Sequence, residues 1–154
     1  MVFLRKSGQS AGDFRRKSGQ NKYNSMINRQ LDVLIKEHYA NTQNALLLSG
    51  ARQVGKSYAI RKYGKANYSC FVEINFIEQP QAIQIFQHAT STTDLLLRLS
   101  TFVQQPLVEG DTLIFFDVVQ VYPDILTWIK FLVDSAEYRY ALSGSLLGVQ
   151  LKDI

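Results

Sequence analysis

Eight consecutive residues, Gly50-Ala51-Arg52-Gln53-Val54-Gly55-Lys56-Ser57, constrain this chain more than anything else in it. They satisfy the pattern G-x-x-x-x-G-K-[ST] at every position. The apolar run Ala45-Leu46-Leu47-Leu48 precedes them and reads as a buried strand. The stretch Tyr58-Ala59-Ile60-Arg61-Lys62-Tyr63 follows and is compatible with a helix. A loop placed between a strand and a helix N-terminus offers backbone N–H groups to an anion. The orphan donors and the macrodipole both favour negative charge there. In such a loop Lys56 pairs with the β- and γ-phosphates of a nucleotide, and the Ser57 hydroxyl ligates Mg²⁺. Tyr58 ends the run of expected nucleotide contacts. A Gly-rich connection with an incidental Lys-Ser would require neither the strand nor the helix.

The 154 residues amount to one domain by length. A chain of this size buries about two-thirds of its unfolded surface. No apolar run approaches the roughly 18–20 residues that a bilayer span needs. The N-terminus is basic but lacks the apolar stretch of a secretory signal. Cys70 is the only cysteine, which excludes an intramolecular disulfide and suggests a reducing, cytoplasmic setting. His38 and His88 are isolated, which argues against a zinc site. The net charge of +4 is unevenly placed. Residues 1–25 hold six basic side chains against Asp13 alone, so the remainder is close to neutral. Overall basicity is therefore no argument for nucleic-acid binding.

Residues 1–25 are rich in Ser, Gly, Gln and Asn, a composition typical of disorder. Arg5-Lys6-Ser7-Gly8-Gln9 recurs as Arg16-Lys17-Ser18-Gly19-Gln20. The segment reads as a basic arm for phosphate backbones or acidic surfaces, or as a solvated appendage upstream of Met26. The folded domain is expected over 26–154. Ile27, Leu31, Leu34, Ile35 and His38 fall at helical spacing. Strands are expected over 45–49, 70–76, 112–116 and 138–142. Between them, helices are expected from Tyr58 to near Gly64, from Pro80 through His88, over 94–103, and behind Pro123. Strands alternating with helices predict a parallel sheet covered on both faces. The phosphate loop, Asp117 and Ser143/Ser145 then fall at carboxyl ends of strands, where open α/β sheets bind ligands.

Asp117 closes the apolar strand Leu113-Ile114-Phe115-Phe116, the Walker B arrangement, and is a candidate metal carboxylate beside Ser57. ATPases of this type usually place a Glu next to it, to orient or polarise the attacking water. Here that residue is Val118, which can do neither. The next carboxylate is Asp124; Gln120 is a weaker candidate for orienting water. Ser143 and Ser145 are either a γ-phosphate sensor or simply a Ser-Gly-Ser turn. The site thus reads as built to bind a nucleotide and poorly equipped to cleave it.

Together ALLLSGARQVGKS (45–57), FVEINF (71–76), LIFFDVVQ (113–120) and LSGSLLG (142–148) resemble the bacterial and archaeal AAA+ superfamily ATP-binding proteins of the "GARQVGK" type. The resemblance runs from Met26 to the end, with the blocks in the family's order. It implies an α/β P-loop NTPase fold: a three-layer sandwich on a mostly parallel sheet of order 5-1-4-3-2. It also implies ATP and Mg²⁺ as ligands. By resemblance, residues 50–57 are Walker A, Asp117 is the Walker B carboxylate, and Ser143 or Ser145 lies at sensor 1. The family usually reads Asp-Glu where this chain has Asp117-Val118. It also continues past the Leu-Ser-Gly-Ser block, so the chain reads as an N-terminal fragment truncated after the fourth core strand. The fifth strand, sensor 2 and a C-terminal domain would lie beyond Ile154. A missing fifth strand would leave an apolar edge beside the phosphate loop. Further copies of the chain or that C-terminal domain are the implied partners.

The competing reading is a non-catalytic interaction module whose basic arm binds nucleic acid. It lacks the interleaving of aromatic and basic residues that such a surface uses. A GTPase would commonly carry an Asn-Lys-x-Asp block, and none occurs between Asp117 and Ile154.

Overall fold

The computed structural model describes the backbone of residues 17–145. Side chains are described from Met26 onward, except at positions 27 and 28. The first Arg-Lys-Ser-Gly-Gln copy and Leu146-Leu147-Gly148 lie outside the described residues.

Ten elements follow one another: α1 (Lys17–Asn41), β1 (Leu46–Ser49), α2 (Lys56–Asn67), β2 (Cys70–Asn75), α3 (Ala82–His88), α4 (Thr92–Val103), β3 (Thr112–Asp117), a 3₁₀ turn (Val119–Val121), α5 (Ile125–Ser135) and β4 (Arg139–Gly144). The four strands form one parallel sheet in the order β1-β4-β3-β2. This is the α/β P-loop sheet expected from the sequence. Alternation along the strands divides the core in two. Leu46, Leu48, Leu113, Phe115 and Ala141 face α1 and α2, meeting Leu31, Ile35, Tyr39, Ala59 and Ile60. Leu47, Val72, Ile74, Ile114, Phe116 and Leu142 face the other way, against Phe86, Leu95, Leu99, Ile125, Ile129 and Leu132. β3 lies between two strands and every one of its residues is buried. β2 lies at the sheet edge, and its burial alternates instead of being continuous.

Several boundaries differ from expectation. α1 is described from Lys17 and so already covers positions ahead of Met26. Extending an existing helix costs far less than nucleating one, which lets polar residues of modest propensity continue it. α2 also runs through Gly64 to Asn67. Gly64 is no terminator: a Cβ there would lie 2.3 Å from the Phe71 ring and 3.0 Å from Leu113. It allows helix and sheet to approach closely. The Ser91 hydroxyl caps α4 by accepting from Asp94 N at 3.1 Å, so this helix starts at Thr92, ahead of the expected 94.

Candidate nucleotide site

The loop between β1 and α2 bends through three residues with left-handed or otherwise positive φ: Gly50 (150°), Gln53 (59°) and Gly55 (85°). Gly55 stands at the N-cap of α2 and no side chain caps that helix. Its first amide groups are therefore free for an anion. The loop is tied to the sheet by Gly50 N, which donates to Gly144 O of β4 at 3.3 Å.

The strand ends bring the expected residues together. Ser57 Oγ donates to Asp117 Oδ1 at 3.1 Å and lies 3.3 Å from Ser143 Oγ. Ser143 Oγ also donates to Asp117 Oδ1, as does the Val118 amide at 2.9 Å. One carboxylate oxygen thus gathers groups from α2, β4 and the turn after β3. Lys56 Nζ reaches back across the loop to Gly50 O at 3.2 Å and Ala51 O at 2.5 Å. Burial lowers the pKa of this ammonium, and the charge on Asp117 opposes that shift.

These groups wall a cavity of about 360 Å³, within the span of small-molecule sites. Its lining includes Arg52, Gln53, Val54, Tyr58 and Ile77 together with Asp117, Val118, Gln120, Ser143 and Ser145. Tyr58 and Ile77 are both largely exposed and offer apolar surface at the site. Among the described residues, Asp117 supplies its only carboxylate. Gln120 is already engaged: its Oε1 accepts from Ser145 N at 3.1 Å. The described geometry therefore gives this side chain the task of fixing the end of β4. Val118 has φ 59°, a left-handed conformation unusual for a β-branched residue.

Ser57 and Asp117 present hard oxygen ligands of the kind Mg²⁺ prefers, side by side on the cavity wall. Among the described residues, no group of three or more His, Cys, Asp or Glu could hold a metal unaided. A cation here would complete its shell from phosphate and water, as Mg²⁺ commonly does. The residues present fit that group.

Sequence reasoning missed Arg61 and Glu73. Arg61 makes a two-point ion pair with Glu73, at 2.7 and 2.6 Å, and its NH2 stands 3.8 Å from Asp117 Oδ2. Two signals were available. Arg61 is one helical turn beyond Ser57, hence on the same face. Glu73 is the one charged residue of β2.

A strand, a glycine-bent loop and a helix N-terminus, with a carboxylate delivered from a nearby parallel strand, define a P-loop NTPase domain. The family model described as an AAA domain matches residues 42–154, and the chain belongs to that family. Nucleotide binding is therefore the family-level function. Among solved structures, C. elegans PCH-2 is 14% identical with a TM-score of 0.43, over 89% of this chain and 40% of that one. The chain thus spans less than half of that protein's length. Comparison with curated proteins gives no match. Among the described residues, no helix is long and apolar enough to cross a membrane.

Proposed function

We propose that this chain binds ATP with Mg²⁺ at residues 50–58 and hydrolyses it poorly. The observation that supports this best is Ser57 Oγ within 3.1 Å of Asp117 Oδ1 at an uncapped helix N-terminus. In this reading 50–57 is Walker A, and its amides and Lys56 cradle the phosphates. Lys56 exchanges its two loop carbonyls for β- and γ-phosphate oxygens. Ser57 and Asp117 hold the cation, and Ser143, with Ser145 beyond it, senses the γ-phosphate. Mg²⁺, when bound, neutralises charge on the phosphates. Among the described residues, no group on the cavity wall is placed to take the proton of an attacking water. Asp117 is committed to Ser57, Ser143 and the Val118 amide, Gln120 to Ser145, and Val118 has no suitable atom.

The same reading makes the chain the N-terminal part of a "GARQVGK"-type protein, with a further domain or further copies as partners. Titration with a fluorescent ATP analogue tests it. Binding requires Mg²⁺, and Lys56→Ala weakens it by about tenfold or more, the expected loss of a charge-assisted contact. Turnover stays near background in the parent and rises in Val118→Glu. Robust hydrolysis by the parent chain contradicts the impaired-site claim; unchanged binding by Lys56→Ala contradicts the site itself.

A further inference from the structure

We infer that the Arg61–Glu73 pair is a positioning device that sets how strongly Asp117 attracts a divalent cation; this rests on the reading of Ser57 and Asp117 as the cation's ligands. Asp117 has two unlike oxygens. Oδ1 accepts from Ser57, Ser143 and the Val118 amide. Oδ2 faces the Arg61 guanidinium across 3.8 Å, close enough to attract and too far for a hydrogen bond. Arg61 is not among the residues lining the cavity, so it acts on Asp117 from outside it.

What keeps Arg61 at that distance is Glu73. Both fork nitrogens, Nε and NH2, are committed to its two oxygens at 2.7 and 2.6 Å. The pair links α2 to the edge strand β2, and Glu73 stands in register with Phe115, two residues before Asp117 on the same face. Glu78 adds a further carboxylate field at Arg61, and Lys56 a further cationic field at Asp117. A divalent ion at Asp117 therefore meets a fixed positive charge that Glu73 partly offsets. Removing Arg61 makes the surroundings one unit more negative and favours the cation. Removing the Glu73 charge makes them one unit more positive and frees Arg61 to close on Oδ2.

Both substitutions break the same ion pair, so structural damage alone would move them in the same direction. Charge moves them in opposite directions. The experiment measures the Mg²⁺ concentration at half-maximal binding of a fluorescent ADP. Relative to the parent, Arg61→Gln lowers this midpoint by about three- to tenfold and Glu73→Gln raises it by a similar factor, the scale for a unit charge several ångströms away in a partly solvated site. Arg61→Lys, which keeps the charge but not the fork, stays nearer the parent than Arg61→Gln. Midpoints for Arg61→Gln and Glu73→Gln that shift together, or do not shift, overturn the inference. Lys56→Ala distinguishes that failure from failure of the site: if it binds the nucleotide as the parent does, the reading of the loop is what falls. A parent that binds no nucleotide overturns both.

Discussion

Val118 deserves comment for its backbone as much as for its missing carboxylate. A β-branched residue at φ 59° crowds its own backbone, and such conformations cost about 1–3 kcal/mol. Its amide is fixed by Asp117 Oδ1, and its carbonyl accepts from Val121 N to open the 3₁₀ turn. The conformation is thus imposed from both sides. Asn tolerates the left-handed region far better than Val. Val118→Asn is therefore expected to raise stability by about 1 kcal/mol, read as a higher midpoint in chemical denaturation. An unchanged or lower midpoint would mean that side-chain packing at this position outweighs the strain. None of this was legible beforehand. The sequence showed which residue follows Asp117, and so what chemistry is lacking. The sign of φ came from the bond of its amide to Asp117 and from the 3₁₀ turn its carbonyl opens.

Strands and helices were far more legible than their ends. Apolar runs located the four described strands; β1, β3 and β4 are buried almost throughout, and a parallel strand buried on both faces has little choice of composition. The misreading of Gly64 is instructive. Glycine near the end of a helical pattern commonly terminates it, yet here α2 continues and the missing side chain makes room for Phe71. A terminator and a close-approach glycine look identical until the neighbouring strand is in place. The two roles differ in consequence. Gly64→Val should cost at least about 2 kcal/mol, because the added bulk meets the Phe71 ring and the buried Leu113. Denaturation of the variant checks this, and a neutral result would mean Phe71 can swing aside. The loop, Asp117 and the two serines could be read from motif and position. The Arg61–Glu73 bridge could not: the implied order sets β2 beside β3, but residue spacing alone does not say which side chains of α2 meet β2.

At the scale of the molecule, two helical layers enclose the sheet, and the site sits along one end of it. The loop after β1, the end of β3 and the end of β4 all contribute, so a ligand there braces elements from both core clusters. Anything bound only by the native state stabilises all of it. At a hundredfold excess of ATP over its dissociation constant, Mg-ATP should add about 2.7 kcal/mol. For a domain of this size that is a rise of several degrees in the thermal midpoint. The rise should vanish in Lys56→Ala, which a melting curve with and without nucleotide would show. The order β1-β4-β3-β2 has a further consequence, for the making of the protein rather than its working. β1 emerges early from the ribosome, yet its neighbour in the sheet is β4, and β4 inserts between β1 and β3. Until residues 139–144 have been synthesised, the strand carrying the loop has no native partner within the described sheet. Pairing at such sequence separation is slow to form. A nascent chain should therefore acquire its ligand pocket late, in the step that inserts β4 between β1 and β3.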